Sequence, residues 1–150
     1  MSYLCSFSQR FFTALLFGAV LLASCKKNND VPFTEPAKSV AGKWQIVKAS
    51  RNGTDLMPYV DFSQFRLNFN DDSTYTIDNL LPFIVSKKGA YSLDDPKYPF
   101  KISFRQDGST APITTNFSYP VVNGKRQISL SFSPGCTKNS YQYTFERIEP

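Results

Sequence analysis

The chain has 150 residues, with 17 basic and 12 acidic side chains, a formal net charge of +5 and no histidine. The lack of histidine excludes Ser-His-Asp and Cys-His catalysis, histidine-bound zinc and the usual proton shuttle near neutral pH. Cations such as Lys43, Arg66 and Lys101 are scattered among acids rather than clustered with aromatic residues, so we expect no nucleic-acid partner.

A short apolar segment near the N-terminus, from Phe11 to Ala23, follows the polar stretch that ends at Arg10. Its 13 residues are fewer than the roughly 20 that a helix needs to cross a bilayer, which disfavours a transmembrane anchor. The segment closes on Leu22-Ala23-Ser24-Cys25, where two small residues precede a cysteine as in a lipobox. A plain cleaved signal peptide gives no reason for that cysteine. We therefore predict a signal peptide over residues 1–24 and membrane attachment through lipid (palmitate-type acyl chains) on Cys25.

The rest of the chain divides into a tether and one domain. Removing residues 1–24 would leave 126 of the 150 residues, enough for a single modest core. Residues 25–39 are polar and punctuated by proline, which predicts a lipidated tether before a folded domain over residues 40–150. Cys5 would be lost with the leader, and Cys136 would remain as a single thiol, so we expect no disulfide.

Within the domain, apolar residues recur with a period of two, which is typical of strands with one buried face. Four segments show the alternation well, namely Phe65–Asn70, Phe100–Arg105, Gln127–Ser133 and Tyr141–Glu146. Four more segments complete a set of about eight strands: Trp44–Ala49, Tyr75–Asp78, Gly89–Leu93 and Ile113–Tyr119. We expect a short helix or a lid only over Thr54 to Gln64, which is long and irregular.

Turn residues separate these strands at hairpin spacing. Asn123-Gly124 precedes the Ile128 strand, and Asn-Gly is the strongest short hairpin signal. Consecutive short strands joined by tight turns predict an all-β fold, an eight-stranded antiparallel up-and-down barrel without exposed edges. A two-sheet sandwich stays open. The alternation also leaves open a membrane-spanning barrel with its apolar face outward, although strands of six or seven residues are short for that role.

Gly42-Lys43-Trp44, which opens the first predicted strand, resembles the lipocalin signature, in which the tryptophan packs across the closed end of the barrel. Further matching features are the lipobox, Asn52-Gly53, the Phe69 to Tyr75 hairpin, Gly89-Ala90-Tyr91 and Tyr143-Thr144-Phe145-Glu146. Together they resemble the small lipocalin-like lipoproteins of Gram-negative gut bacteria, a family of unknown function. The resemblance implies an eight-stranded lipocalin-like β-barrel anchored by lipid to the outer membrane. Lys26 to Asp30 resembles the charged stretch that sends such lipoproteins outward, so we expect surface exposure rather than a periplasmic location.

The inward-facing set decides whether the barrel is hollow. We predict the following residues to point inward: Trp44, Ile46, Phe65, Leu67, Phe69, Tyr75, Tyr91, Phe100, Ile102, Phe104, Phe117, Ile128, Leu130, Phe132, Tyr143 and Phe145. A barrel of eight strands is just wide enough to fill with side chains or to hold one small ligand. The many phenylalanines favour filling. If a cavity is present, Tyr91, Tyr141 and Tyr143 would offer hydroxyl groups to its ligand.

Paired carboxylates at Asp71-Asp72 and Asp94-Asp95 are typical of turns, where aspartate binds nearby backbone amides. No calcium-loop pattern surrounds them, so we predict no metal, no cofactor and no catalytic residue. Asp72-Ser73-Thr74 resembles a three-residue O-glycosylation acceptor of the same bacterial group, which makes Ser73 a candidate glycan site.

Two functions are compatible with these features, and neither is an enzymatic activity. The first is a membrane-anchored binding lipoprotein that holds a small apolar molecule, a glycan fragment or a cell-envelope component. The second is a solid-core interaction protein, an inhibitor or accessory subunit, whose loops contact an envelope protein partner at the cell surface. An interior cavity of at least about 300 Å³ would favour the first. An exposed apolar patch beyond a few hundred Å² would favour the second.

Overall fold

The computed structural model of the protein describes residues 34–136 and 138–148. The predicted signal peptide, Cys25, the Lys26 to Asp30 stretch and the tether up to residue 33 lie outside the described residues. The barrel lies in the compact unit Glu35–Pro150. The division into residues 1–24, 25–39 and 40–150 stays a prediction.

Strands account for about half of the described chain, and all the strand segments expected from the sequence are present. Their bounds are β1 (Gly42–Arg51), β2 (Thr54–Asp55), β3 (Arg66–Phe69), β4 (Thr74–Asp78), β5 (Gly89–Leu93), β6 (Lys101–Gln106), β7 (Ile113–Ser118), β8 (Val121–Val122), β9 (Lys125–Phe132) and β10 (Tyr141–Ile148). Residues 34–136 and 138–148 contain no helix. The expectation of a short helix between Thr54 and Gln64 is therefore wrong. That segment holds β2 and two turns. In the first, Tyr59 and Val60 donate their N–H groups to the Leu56 carbonyl at 3.0 Å, and at the second, the Phe65 N–H donates to the Phe62 carbonyl at 3.2 Å.

The eight longer strands form one closed antiparallel sheet. Neighbours follow the order β10, β1, β3, β4, β5, β6, β7 and β9, and β9 pairs again with β10. Strands β2 and β8 are two-residue extensions that pair with β1 and β9. This closure confirms the up-and-down eight-stranded barrel, and a two-sheet sandwich is wrong. The buried apolar residues of the strands form one interior cluster, so the apolar face of the alternation points inward.

Two Asn-Gly pairs make the tightest turns. Asn52 and Gly53 have φ values of 49° and 82°, and Asn123 and Gly124 have φ values of 51° and 78°. Positive φ at both central residues defines the turn whose twist matches that of paired strands, and Asn and Gly adopt it readily. The hairpin expected from Asn123-Gly124 is thus confirmed, and Asn52-Gly53 makes a second one between β1 and β2.

A bulge in β1 shifts its alternation by one residue. Ile46 pairs with Phe145 and Lys48 pairs with Thr144, which leaves Val47 as the extra residue. Trp44 and Ile46 point inward before the bulge, whereas Ala49 is the buried residue after it. Simple alternation from the sequence would have placed Lys48 inside.

The two ends of the barrel differ. We call the end at which β1 begins and β10 ends the Trp44 end, because Trp44 lies across it. The opposite end, where β1 finishes, carries the connections over residues 56–65, 79–88, 107–112 and 133–140, and we call it the loop end. The chain enters at the Trp44 end, where the Lys38 N–H donates to the Pro96 carbonyl at 2.6 Å.

The interior confirms most of the predicted inward set and corrects one member. The prediction that Phe100 points inward is wrong, because this residue precedes β6, lies outside the barrel at the Trp44 end and is 72% exposed. Tyr91 and Tyr141 are only half-buried. Five further buried residues were not expected, namely Val40, Ala49, Phe62, Phe83 and Val85. Three of these five, Phe62, Phe83 and Val85, lie in connections and not in strands, so the connections complete the core at the loop end.

Candidate functional site

The interior at the loop end is occupied by Phe83. This residue lies in the connection between β4 and β5 and is 6% exposed. Its ring centre lies 5.4–6.5 Å from five other ring centres, those of Phe65, Phe104, Phe132, Tyr143 and Phe145. Aromatic pairs at such separations are in packing contact. The segment over residues 79–88 therefore fills the loop end of the barrel with a side chain.

Phe62 adds a second aromatic cover from the connection before β3. Its ring centre lies 5.6 Å from that of Tyr143, edge to face. The two covering segments are joined where the Asn79 side-chain amide donates to the Gln64 carbonyl at 2.9 Å. The segment expected to form a lid thus covers the barrel, together with residues 79–88.

Tyr143 and Tyr141, two of the three predicted cavity tyrosines, lie together at the loop end. Their ring centres are 6.1 Å apart. The Tyr143 hydroxyl donates to the Pro82 carbonyl at 3.0 Å, and burial, with a smaller effect of Tyr141, raises its pKa to about 12. Tyr141 is half-buried, stacks on Phe132 and has the Arg51 guanidinium 5.8 Å from its ring centre. Tyr143 therefore holds the Phe83 segment in place.

Tyr91, the third predicted tyrosine, lies elsewhere. Its hydroxyl donates to the carbonyl of Asn70 at 3.3 Å, in the turn between β3 and β4 at the Trp44 end. Its ring contacts Phe69, with centres 4.6 Å apart. Burial, followed by the charges of Asp71 and Asp72, raises the pKa of Tyr91. The three tyrosines thus do not line one cavity, because the hydroxyl groups of Tyr91 and Tyr143 form hydrogen bonds at opposite ends of the barrel.

Tyr75 supplies a polar group inside the barrel that sequence reasoning treated only as core. The residue is fully buried and its ring stands edge to face on Phe104, with centres 5.1 Å apart. Its hydroxyl has no hydrogen-bond partner among the described residues. Burial, with a smaller effect of Asp107, raises its pKa to about 12. The cost of an unpaired buried hydroxyl is about 1–3 kcal/mol.

Trp44 and Arg147 close the other end. The Trp44 indole N–H donates to the Val40 carbonyl at 2.8 Å, and the Arg147 guanidinium carbon lies 5.5 Å from the Trp44 ring centre. Arg147 also donates to the Ala41 carbonyl. Gly42 has a φ of 131°, and a Cβ there would lie 2.8 Å from Arg147 Nε. The glycine of the Gly-x-Trp motif thus suits a backbone conformation that other residues rarely adopt, and a side chain there would displace Arg147.

An open groove of about 850 Å³ lies beside this closed end. Its lining includes Lys43, Asn68, Asp71 and Arg147. Asn68 Oδ1 and Arg147 Nε are buried and have no hydrogen-bond partner among the described residues. These two atoms are closed off from solvent, although other atoms of the same residues line the groove.

The paired aspartates act as turn residues, as predicted. Asp94 Oδ1 accepts the N–H groups of Phe100 and Lys101 at 3.0 and 2.9 Å, and Asp95 Oδ1 accepts those of Lys97 and Tyr98 at 2.7 and 2.8 Å. These hydrogen bonds lower the pKa of both carboxyl groups. In the part of the chain that the structure describes, no cluster of His, Cys, Asp and Glu could hold a metal ion.

Ser73 lies at the tip of the β3–β4 hairpin. It is exposed and has a φ of 64°. Its neighbour Asp72 accepts the Thr74 N–H at 3.0 Å and the Thr74 hydroxyl at 2.6 Å, and these bonds lower the Asp72 pKa. Its exposed position would allow modification, while Ser73 as a glycan site stays a prediction.

Large apolar side chains are exposed at both ends of the barrel. At the loop end they are Ile113 and three residues of the covering segments, Met57, Tyr59 and Leu80, and we call these three the loop-end surface. At the Trp44 end they are Tyr98, Phe100, Val121 and Val122. No helix among residues 34–136 and 138–148 is both long and apolar enough to cross a membrane.

Sequence reasoning missed Phe83, although a signal was present. The run Leu80-Leu81-Pro82-Phe83-Ile84-Val85 is apolar without alternation between two clear strands. A run of this kind in a connection indicates burial of the connection itself. Arg147 also carried a signal, since it continues the inward series Tyr143, Phe145.

Comparison with known proteins gives one match. The family model described as Domain of unknown function (DUF5004) matches residues 23–146. No curated protein and no solved structure matches the chain.

Proposed function

We propose that this chain, which belongs to the DUF5004 family, a domain of unknown function, is a lipid-anchored interaction protein of the outer membrane. Its solid core supports a loop-end surface that contacts an envelope protein partner. The role is binding, and we propose no catalytic step, metal or cofactor for it.

The observation that carries this proposal is the position of Phe83. A carrier of an apolar molecule needs an interior volume, and here five aromatic rings surround a sixth that comes from a connection. Displacing Phe83 would also separate Pro82 from the Tyr143 hydroxyl that holds it. The filled interior favours contacts through the outer surface over the predicted storage of a small apolar molecule between Tyr91, Tyr141 and Tyr143.

The loop-end surface is the part of the outside best suited to a protein partner. Tyr59 is 79% exposed and Leu80 is 62% exposed, and they project from the two segments that cover the barrel. Aromatic residues and methionine are enriched at protein interfaces. The scaffold behind them is rigid because Phe62 and Phe83, on the same segments, are anchored in the core.

Lipidation at Cys25 is supported by the sequence alone. The Leu22 to Cys25 tetrapeptide and the following polar residues suit an anchored protein. We place it at the outer membrane with the barrel exposed to the outside, a lipocalin-like lipoprotein in the sense of the Gly42-Lys43-Trp44 motif. A glycan on Ser73 is compatible with its exposed position in the β3–β4 turn.

A second candidate, binding of a glycan fragment or another polar envelope component, is favoured by the groove at the Trp44 end. Asn68 and Arg147, which line it, each hold one buried polar atom without a partner, Asn68 Oδ1 and Arg147 Nε. Buried polar groups are normally hydrogen-bonded, and we propose that a polar ligand reaches these two atoms from the groove. The ligand would provide one donor and one acceptor.

Photo-crosslinking in the native host tests the first proposal. The full chain carries a photoreactive phenylalanine analogue in place of Tyr59, and a matched chain carries it in place of the exposed Arg105 on the barrel wall. We expect one discrete protein adduct from position 59, reduced at least about tenfold by the added substitution Leu80→Asp, because charge is depleted from interface cores. Equal adduct yields from both positions, or an adduct yield from position 59 that Leu80→Asp does not reduce, would contradict the loop-end proposal.

A further inference from the structure

Two projections at the Trp44 end expose apolar side chains toward solvent. One is the connection before β6, with Tyr98 and Phe100, and the other is the hairpin around β8, with Val121 and Val122. These four residues, which we call the Trp44-end patch, are 40–72% exposed. The projections lie side by side, since the Phe117 N–H donates to the Phe100 carbonyl at 2.8 Å.

Cations surround this patch. Lys97 and Lys101 are exposed on the first projection, and Lys125 and Arg126 are exposed on the second. Lys125 pairs with Glu146 at 2.7 Å, and the Arg126 guanidinium lies 4.5 Å from the Tyr119 ring centre.

Acidic groups are also close, and Asp94 and Asp95 are exposed on the same projection as Lys97 and Lys101. The carboxylates of Asp94 and Asp95 accept backbone N–H groups of their own loop. Glu35 pairs with Lys38 beside them. Five cations, with Lys38 included, lie beside four acids, Asp94, Asp95, Glu35 and Glu146, so the net charge around the patch is +1.

The chain itself arrives between the two projections. The Lys38 N–H donates to the Pro96 carbonyl at 2.6 Å on the first, and the Tyr119 hydroxyl of the second donates to the Ser39 carbonyl at 2.6 Å. Glu35 lies ten positions after Cys25, a stretch that spans at most about 35 Å when fully extended. An anchor on Cys25 would thus keep this end of the barrel close to the membrane.

We propose that the Trp44-end patch lies on the bilayer surface, with Tyr98 and Phe100 at the depth of the lipid head groups and Lys97 and Lys101 against anionic phosphates. Aromatic side chains prefer this interface, and each cation near an anionic surface contributes about 1 kcal/mol. The contact rests on the anchor of the proposed function and adds an orientation to it. It points the loop-end surface away from the membrane.

Lysine labelling on vesicles tests the orientation. The full lipidated chain from its host is placed on phosphatidylcholine vesicles that contain about one third phosphatidylglycerol, and acetylation of each lysine is followed by mass spectrometry. We expect Lys97 and Lys101 to react at least about threefold more slowly than in Tyr98→Ser/Phe100→Ser protein on the same vesicles, because membrane contact buries them. Lys87 and Lys88 at the loop end should react equally in both proteins.

A matched variant at the opposite end, Met57→Ser/Tyr59→Ser, should keep the wild-type protection of Lys97 and Lys101. Equal reactivity of wild type and Tyr98→Ser/Phe100→Ser protein would overturn the orientation, and so would protection centred on Lys87 and Lys88. The intact mass of the same samples reports the lipid on Cys25 separately. A missing lipid mass would refute the anchor, whereas a lipidated chain without protected lysines would refute only the orientation.

Discussion

The Arg147 guanidinium lies over the Trp44 ring, 5.5 Å from its centre, and donates to the Ala41 carbonyl. The two residues face each other across the β1–β10 pair. Arg147 thus joins the last strand to the segment that leads into the first.

Replacing Arg147 should therefore destabilise the barrel. We expect Arg147→Ala to lower the free energy of unfolding by about 2 kcal/mol, from the lost cation–π contact and hydrogen bond. Arg147→Lys should recover part of this. Denaturant unfolding measures the change, and the exposed Arg105→Ala serves as control, expected within about 0.5 kcal/mol of wild type. A loss at Arg147 no larger than that of the control would contradict the role assigned to it.

Phe83 should count as a core residue despite lying in a connection. Phe83→Ala is expected to cost about 3–5 kcal/mol, as for other buried phenylalanines, and to open an apolar cavity at the loop end. Leu80→Ala, on the same segment but exposed, should change the stability by no more than about 0.5 kcal/mol. Chemical denaturation of both variants tests the difference. Similar small losses at both positions would mean that the segment does not fill the barrel.

Tyr75 and Tyr143 differ in their hydrogen bonding, which gives a paired test. At neutral pH, Tyr143→Phe should cost about 1 kcal/mol through its lost bond to Pro82, whereas Tyr75→Phe should be neutral or stabilising because its hydroxyl is unpaired. Thermal or denaturant unfolding measures both. If Tyr75→Phe costs as much as Tyr143→Phe, its hydroxyl has a partner.

The same two tyrosines predict a loss of stability in alkali. Their pKa values are raised from 10.0 to about 12 in the folded protein. Above pH 10 the unfolded chain therefore binds fewer protons than the folded one, and the free energy of unfolding falls as the pH rises toward 12. Tyr75→Phe should make this fall shallower than in wild type. An unchanged slope would show that Tyr75 titrates normally.

Cys25 carries the anchor in this proposal. Cys25→Ala should leave the barrel folded and release the protein from the membrane fraction, because no acyl chains can be attached. Cys136→Ala, at the exposed thiol of the barrel, should sediment with membranes as wild type does. Fractionation of host cells followed by immunoblotting compares them. Membrane retention of the Cys25→Ala protein would reject lipidation at this residue.

Most of the strand arrangement could be predicted because alternation and Asn-Gly turns act locally. β5 has the predicted bounds, and each end of the other seven long strands lies within two residues of the predicted end. The bulge at Val47 could not be predicted, because it depends on how β1 pairs with β10, and only the pairing shows that Ala49 points inward.

The misplaced residues have a common physical cause. Phe100 continues the alternation of Ile102 and Phe104, but the barrel ends before it, so an inward-facing position no longer means burial. Conversely, Phe83 lies in no strand, and its burial depends on the empty space left at the loop end. The predicted grouping of Tyr91 with Tyr141 and Tyr143 fails for the same reason, since strand patterns give the face of a residue but not its height in the barrel.

Native mass spectrometry of the full chain, gently extracted from the membranes of its own host, tests the solid-core interaction protein most directly. Native and denaturing spectra of one sample separate bound molecules from covalent lipid or glycan. We predict that both spectra give the mass of the polypeptide from Cys25 with its covalent modifications, and no bound small molecule. A stoichiometric apolar small molecule seen only in the native spectrum would contradict the solid core and identify the protein as a carrier.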